Sequence, residues 1–227
     1  MSNFEIIEFI TLLAQEFEKN TNADVALKQK QYVRNKFEYY GLTTTKRRVI
    51  QQPFLNKAFL PPKDELARLT KLFWEKPQRD FQYFSQELVY KYVKQFQKKD
   101  IELFEYMVTH KPWWETVDFI ATKLMGAYFK IYPEQRMFYI KKWLLSNHIW
   151  LQRSALLFQL KYKEELDTKL LSLCIQHLLD SNEFFINKAI GWVLREYSKT
   201  NPKWVIDFTH KTALSPLSKR EALRIIQ

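Results

Sequence analysis

Glycine is nearly missing from this chain: three residues, Gly41, Gly126 and Gly191, serve 227 positions. Barrels, sandwiches and other folds with many tight turns need the backbone freedom that glycine supplies, so the scarcity argues for helices. Cysteine is scarcer still. A lone Cys174 excludes an internal disulfide and any Cys-rich zinc ribbon, and a reducing compartment is its simplest home. No apolar run approaches the roughly 18 residues that a bilayer span needs. The opening stretch sets Glu5, Glu8 and Glu16 inside its apolar pattern, which is not the basic-then-apolar order of a secretion signal. A cytoplasmic protein is expected. No Gly-rich phosphate loop occurs, which speaks against ATP or NAD, and His110, His148, His177 and His210 lack metal-ligand spacing. Neither a metal nor a nucleotide cofactor is expected.

What is abundant is apolar and basic. Hydrophobic residues make up 46% of the chain and aromatics 16%, too much for a disordered polymer and enough for a sizeable core. Thirty-six Lys and Arg against 25 Asp and Glu leave a formal net charge of +11, with a sequence pI near 9.5. Polyanions are natural partners for such a surface, nucleic acid first and an acidic membrane surface second.

Apolar residues recur at helical spacing almost throughout, as in Phe4, Ile7, Ile10 and Leu13, with short breaks at Gly41 and Pro61-Pro62. Later helices are predicted to begin near Lys63, Arg79, Asp100, Trp113, Pro133, His148, Asp167, Glu183, Pro202 and Pro216, each about 10 to 18 residues long. No linker or composition shift divides the chain, and a single domain over residues 1–227 is expected. Trp114, Arg153 and Trp192 are spaced 39 residues apart at each step, as are Phe119, Phe158 and Tyr197. That interval matches the roughly 40-residue helix pair of a HEAT-type solenoid. The first set is predicted to form a row on one face, the second to belong to the core. Solenoids commonly hold extended ligands on a concave face, and a duplex is one.

Asp118 lies four residues after Trp114, so indole and carboxylate share a helix face. Two readings stand at this point: Trp114 in the core with Asp118 as an ordinary surface or capping acid, or an acid set within a row of two Trp and one Arg. Cys174, inside the apolar stretch LSLCIQHLL, reads as core rather than nucleophile.

The chain resembles the AlkD family of bacterial DNA glycosylases, which is built from HEAT-like repeats. The segments that carry the resemblance are KPWWETVDFI (Lys111 to Ile120), NHIWLQRSALLFQLKYK (Asn147 to Lys163), EFFINKAIGWVLREYSKTNP (Glu183 to Pro202) and PLSKREAL (Pro216 to Leu223). It extends more weakly to QYVRNKFEYYGL (Gln31 to Leu42) and TKRRVI (Thr45 to Ile50). The resemblance implies an all-α, right-handed superhelix of helical pairs with a concave, basic DNA-binding face. It implies a monomer, and a catalytic set of Trp114, Asp118, Arg153 and Trp192. Tyr32 matches a tyrosine of the family's cleft. It also implies that the lesion stays stacked against an open surface instead of being flipped into a pocket.

The chemistry assigns sensible roles to these residues. Cleaving an N-glycosidic bond builds positive charge on the deoxyribose, so a fixed anion near C1′ is the most useful single group. Asp118 is the candidate, and it is also able to activate water. No second acid is evident, which points to purines alkylated at N3 or N7: these are already cationic and leave without protonation. Trp114 and Trp192 would face the charged sugar and lesion, at about 0.5 to 2 kcal/mol per cation–aromatic contact. Arg153 is expected on a backbone phosphate, with Arg195 as a second phosphate contact or a plain surface charge. Lys46, Arg47 and Arg48, and Lys219 with Arg220, are expected to grip phosphates on either side. The expected activity is hydrolysis of 3-methyladenine and 7-methylguanine from double-stranded DNA, a base excision repair step. The alternatives are a non-catalytic solenoid that binds damaged or distorted duplex, and a protein scaffold.

Overall fold

The computed structural model of the chain describes residues 3–226, with side chains for residues 6–226. Its described residues form helices and turns, and their one extended pairing is an isolated bridge between Glu38 and Gln78. Two compact units are distinguished, Met1–Phe96 and Gln97–Gln227.

The first unit holds α1 (Asn3–Glu18), α2 (Ala23–Tyr32), α3 (Thr44–Gln51), α4 (Leu66–Glu75) and α5 (Arg79–Lys91). Along α1 the buried side chains are Ile6, Ile10, Leu13 and Phe17, a 4-3-4 spacing that winds one stripe around the helix, with Phe9 beside it. Ile7 is exposed, one residue and about 100° off that stripe, contrary to the pattern expected from sequence. Phe4 lies outside the described side chains. The core is aromatic: Phe73 stacks on Phe81 at 5.8 Å between centroids, and Phe84 meets Phe73 edge-on at 5.1 Å. Asn22 and Thr43 cap α2 and α3 by accepting from the backbone N–H of Val25 and Lys46.

The second unit holds α6 (Asp100–Thr109), α7 (Trp114–Phe119), α8 (Gly126–Ile131), α9 (Arg136–Leu145), α10 (Ile149–Leu157), α11 (Thr168–His177), α12 (Phe184–Ser198), α13 (Pro202–Lys211) and α14 (Pro216–Leu223). The residues predicted to begin four of these helices, Trp113, His148, Asp167 and Glu183, are their N-caps. Pro202 and Pro216 open α13 and α14 at the first helical position, where a missing N–H is harmless. A π-helical segment, Ile120–Met125, joins α7 to α8 without a break. Just past it a Cβ on Gly126 would stand 2.6 Å from the Phe158 carbonyl, so glycine permits the close approach of the α10 end.

α10 packs against both α7 and α12, and α12 packs along α14. The helix starts of α7, α10 and α12 are 35 residues apart at each step, 114 to 149 and 149 to 184. The 39-residue step seen in the sequence is this interval plus four residues, slightly more than one turn. Trp114, Arg153 and Trp192 therefore descend by about a turn from one helix to the next while keeping nearly the same face. Of the row expected in the core, Phe158 and Tyr197 are buried and Phe119 is half-buried.

Candidate active site

Asp118 is the fifth residue of α7 and Arg153 the fifth of α10. Standing at the same level of adjacent helices, they form a two-pronged ion pair. Arg153 Nε donates to Asp118 Oδ1 at 2.7 Å, and Nη2 donates to Oδ2 at 2.9 Å. The third guanidinium nitrogen, Nη1, donates to the backbone carbonyl of Phe185 in the first turn of α12. The carboxylate is thus tied through one arginine to two helices.

Side-chain exposure is 13% for Asp118 and 5% for Arg153, so the acid keeps a narrow window to solvent and the base almost none. Burial pushes the Asp118 carboxyl above its ordinary range, the Arg153 charge opposes the rise, and Glu115 one turn before adds to it. The backbone is fixed as well, since the Thr122 hydroxyl donates to the Asp118 carbonyl at 2.6 Å where the π-helical segment begins.

An aromatic cluster joins the starts of the three helices. Trp113 at the start of α7, Trp150 in α10 and Phe185 in α12 meet mutually, with ring centroids 5.0 to 5.7 Å apart. Sequence reasoning missed this cluster. Its signal was present as aromatic residues within two places of the three helix starts that recur every 35 residues. Trp114 and Trp192 are both partly exposed, the first one turn before Asp118 and the second on the helix that receives Arg153.

The phosphate role expected of Arg153 meets a correction. Three of its five N–H donors are directed at Asp118 and Phe185 and its side chain is nearly enclosed, so it lies against the carboxylate instead of standing free at the surface. Arg47 needs a second correction. Its side chain is 6% exposed and donates to Gln51 Oε1 and Glu87 Oε1, with the guanidinium 5.0 Å from the Tyr83 ring centroid. Three consecutive residues on a helix point about 100° apart, so Lys46 and Arg48 face outward and Arg47 inward. Lys46 donates to the Asn20 carbonyl at 3.2 Å, and exposed Arg48 pairs with Glu87 at 3.3 Å. Tyr32 is exposed at the end of α2. In the other unit Lys219 and Arg220 are exposed on α14, and Arg195 pairs with Glu221 at 2.5 Å.

A family model described as "DNA alkylation repair enzyme" matches residues 13–226. The chain belongs to this family. A solved structure described as a predicted DNA alkylation repair enzyme from Enterococcus faecalis is similar to it, with a TM-score of 0.85 and 30% sequence identity. The similarity covers 91% of this chain and 96% of that one. None of the curated proteins matches. The family match runs through both compact units and includes every candidate site residue, from Tyr32 to Arg220.

Among the described residues no group of three or more His, Cys, Asp or Glu is arranged to hold a metal ion, and no helix is long and apolar enough to cross a membrane. Cys174 is fully buried and burial pushes its thiol up to about 12, so it belongs to the core.

Proposed function

We propose that this protein is a DNA glycosylase that hydrolyses the N-glycosidic bond of cationic N3- and N7-alkylpurines, such as 3-methyladenine and 7-methylguanine, in double-stranded DNA. The observation that carries the reading is the carboxylate of Asp118. It is fixed by a two-pronged arginine, keeps a narrow opening to solvent, and lies on the helix of partly exposed Trp114, while its arginine reaches the helix of partly exposed Trp192. Membership of the repair family supplies DNA as the polymer and alkylation as the damage.

As the C1′–N bond lengthens, its electron pair moves onto the departing purine and cancels that base's positive charge, while cationic character passes to the deoxyribose. A pre-set anion beside C1′ stabilises this change without reorganising. Water adds to C1′, and its proton passes to Asp118 or to solvent. The products are an abasic site and a free neutral base. No acid is needed for a leaving group that is already cationic, so this reading does not call on Glu115, the second carboxylate one turn before Asp118, as the acid of the pair found in sugar hydrolases. The open surface expected from the family resemblance accommodates a lesion that remains stacked and tolerates bulky adducts. Lys46, Arg48, Tyr32, Lys219 and Arg220 are the duplex contacts in this reading.

The deciding assay incubates duplex DNA carrying N7-methylguanine with the wild-type protein and with Asp118→Asn, and quantifies released base in a single turnover. Release by wild type and a loss of at least about 10²-fold in the variant is the expected result. Equal release removes Asp118 from the mechanism, and no release by wild type removes the activity. Tight binding of the damaged duplex with no release would favour the non-catalytic reading, for which the engagement of both Asp118 oxygens by Arg153 is the supporting observation.

A further inference from the structure

Arg153 is enclosed and committed to Asp118 and the Phe185 carbonyl, although a duplex brought to this carboxylate carries its phosphates with it. The 35-residue helix step points to a more exposed cation. Lys188 is the fifth residue of α12, the counterpart of Asp118 in α7 and of Arg153 in α10. Arg153 reaches the first turn of α12 through the Phe185 carbonyl, three residues before Lys188. Unlike Arg153, Lys188 is open to solvent, with 37% of its side chain exposed.

Along α12, Lys188, Trp192 and Arg195 follow at spacings of four and three, which sets them on one face with the indole between the two cations. Both cations converge on one carboxylate. Lys188 Nζ lies 3.0 Å from Glu221 Oε1, and Arg195 Nη1 lies 2.5 Å from Oε2. Glu221 is 11% exposed, and its α14 backbone is pressed against α12 where Gly191 has no side chain. A Cβ at Gly191 would meet the Glu221 Cβ at 2.5 Å. Two positive side chains are therefore held by one fixed negative one, and Glu196, one turn after Trp192, is itself paired with both Lys161 and Lys199.

We infer that Lys188 and Arg195 form a phosphodiester subsite on either side of Trp192, with Glu221 as the internal carboxylate that positions both cations and competes with the phosphate for them. The inference rests on the DNA reading above and deepens it. A phosphodiester is a monoanion with two free oxygens. The Lys188 ammonium offers it a compact charge, the Arg195 guanidinium its remaining N–H donors, and the sugar next along is brought beside the indole. Glu221 keeps the pair oriented when no duplex is bound.

The test is the salt dependence of binding to lesion-free duplex, which needs no catalysis and therefore separates this inference from the glycosylase activity. Lys188→Met is expected to reduce the slope of log K against log salt by about 0.9, the contribution of one phosphate contact, and Lys188→Arg to retain it. Glu221→Gln keeps the side-chain shape and removes the competing charge, so tighter binding and a steeper slope are expected. Lys169→Met, an exposed lysine on α11, serves as the control for net charge. The subsite is overturned if wild type binds and Lys188→Met weakens binding no more than Lys169→Met. It is equally overturned if Glu221→Gln, shown by thermal melting to be folded, leaves affinity unchanged. A wild-type protein that binds no duplex removes both the subsite and the reading beneath it.

Discussion

Asp118 and Arg153 occupy the same place on two helices packed side by side, α7 and α10, and their side chains meet there through hydrogen bonds of 2.7 and 2.9 Å. An ion pair this enclosed is more costly to break than to replace, because removing one partner leaves the other charged and desolvated. Arg153→Met is expected to destabilise the second unit by about 3–5 kcal/mol near pH 8. It also drives the Asp118 carboxyl further up, so the loss shrinks at acid pH, where that carboxyl is neutral. Urea unfolding of wild type and variant at pH 5 and pH 8 checks both statements, and a loss independent of pH would contradict them.

The activity itself is expected to follow the Asp118 anion. Burial raises this carboxyl above the ordinary aspartate range, and the acid in question must be ionised to act on a cationic sugar. Base release therefore falls on the acid side at a pH above the roughly 3.9 of a free aspartate. Single-turnover rates from pH 4 to 8, corrected for spontaneous depurination, place that limb. In Arg153→Lys, which keeps the charge and loses the planar fork, the limb moves to higher pH.

Much of the second unit was legible before the structure, because its helices announce their beginnings with Asp167, Pro202 and Pro216 and the tryptophans fall at a fixed interval. The interval itself was misread by one turn. A repeat of side chains reports where residues are useful, whereas the helix starts report where the backbone repeats, and the two differ by four residues here. Arg47 and Arg153 were read as surface cations since sequence shows charge and not the carboxylate that meets it. Glu87 and Asp118 lie 40 and 35 residues from those arginines, beyond any local pattern. Lys188 and Glu221 escaped for the same reason.

The first unit carries its own titrating group. Asp80 is fully buried in α5; its Oδ2 accepts the Tyr40 backbone N–H at 2.9 Å, while Oδ1 has no hydrogen-bond partner. Burial pushes its carboxyl up to about 6, against the pull of Arg47. Since the folded value exceeds the unfolded one, the native state binds the proton more tightly, and stability is highest below about pH 4 for this group and falls as pH rises through 6. The two-unit difference corresponds to about 3 kcal/mol lost across that window. Asp80→Asn keeps an acceptor for Tyr40 and cannot ionise. The difference in unfolding free energy between variant and wild type should grow in the variant's favour from pH 4 to 7, and a constant difference would contradict the assignment.

The sign of a substitution at Gly191 is decided by contact distance. In an exposed mid-helix position, replacing glycine by alanine stabilises by about 1 kcal/mol through backbone entropy. Here the added Cβ would lie 2.5 Å from the Glu221 Cβ and 2.9 Å from the Ser218 carbonyl, and α14 cannot easily retreat. It is pinned to α12 by the Ser218 hydroxyl, which donates to the Asn187 carbonyl at 2.9 Å. Overpacking of this kind typically costs about 1–3 kcal/mol, more than the helical gain. Gly191→Ala is thus expected to lower stability, and by shifting α14 it loosens the hold of Glu221 on Lys188 and Arg195. Denaturant melts give the first effect. The second appears as a change in the salt slope of duplex binding even where the variant remains folded, and a variant as stable as wild type would show that the two helices are not in such close contact.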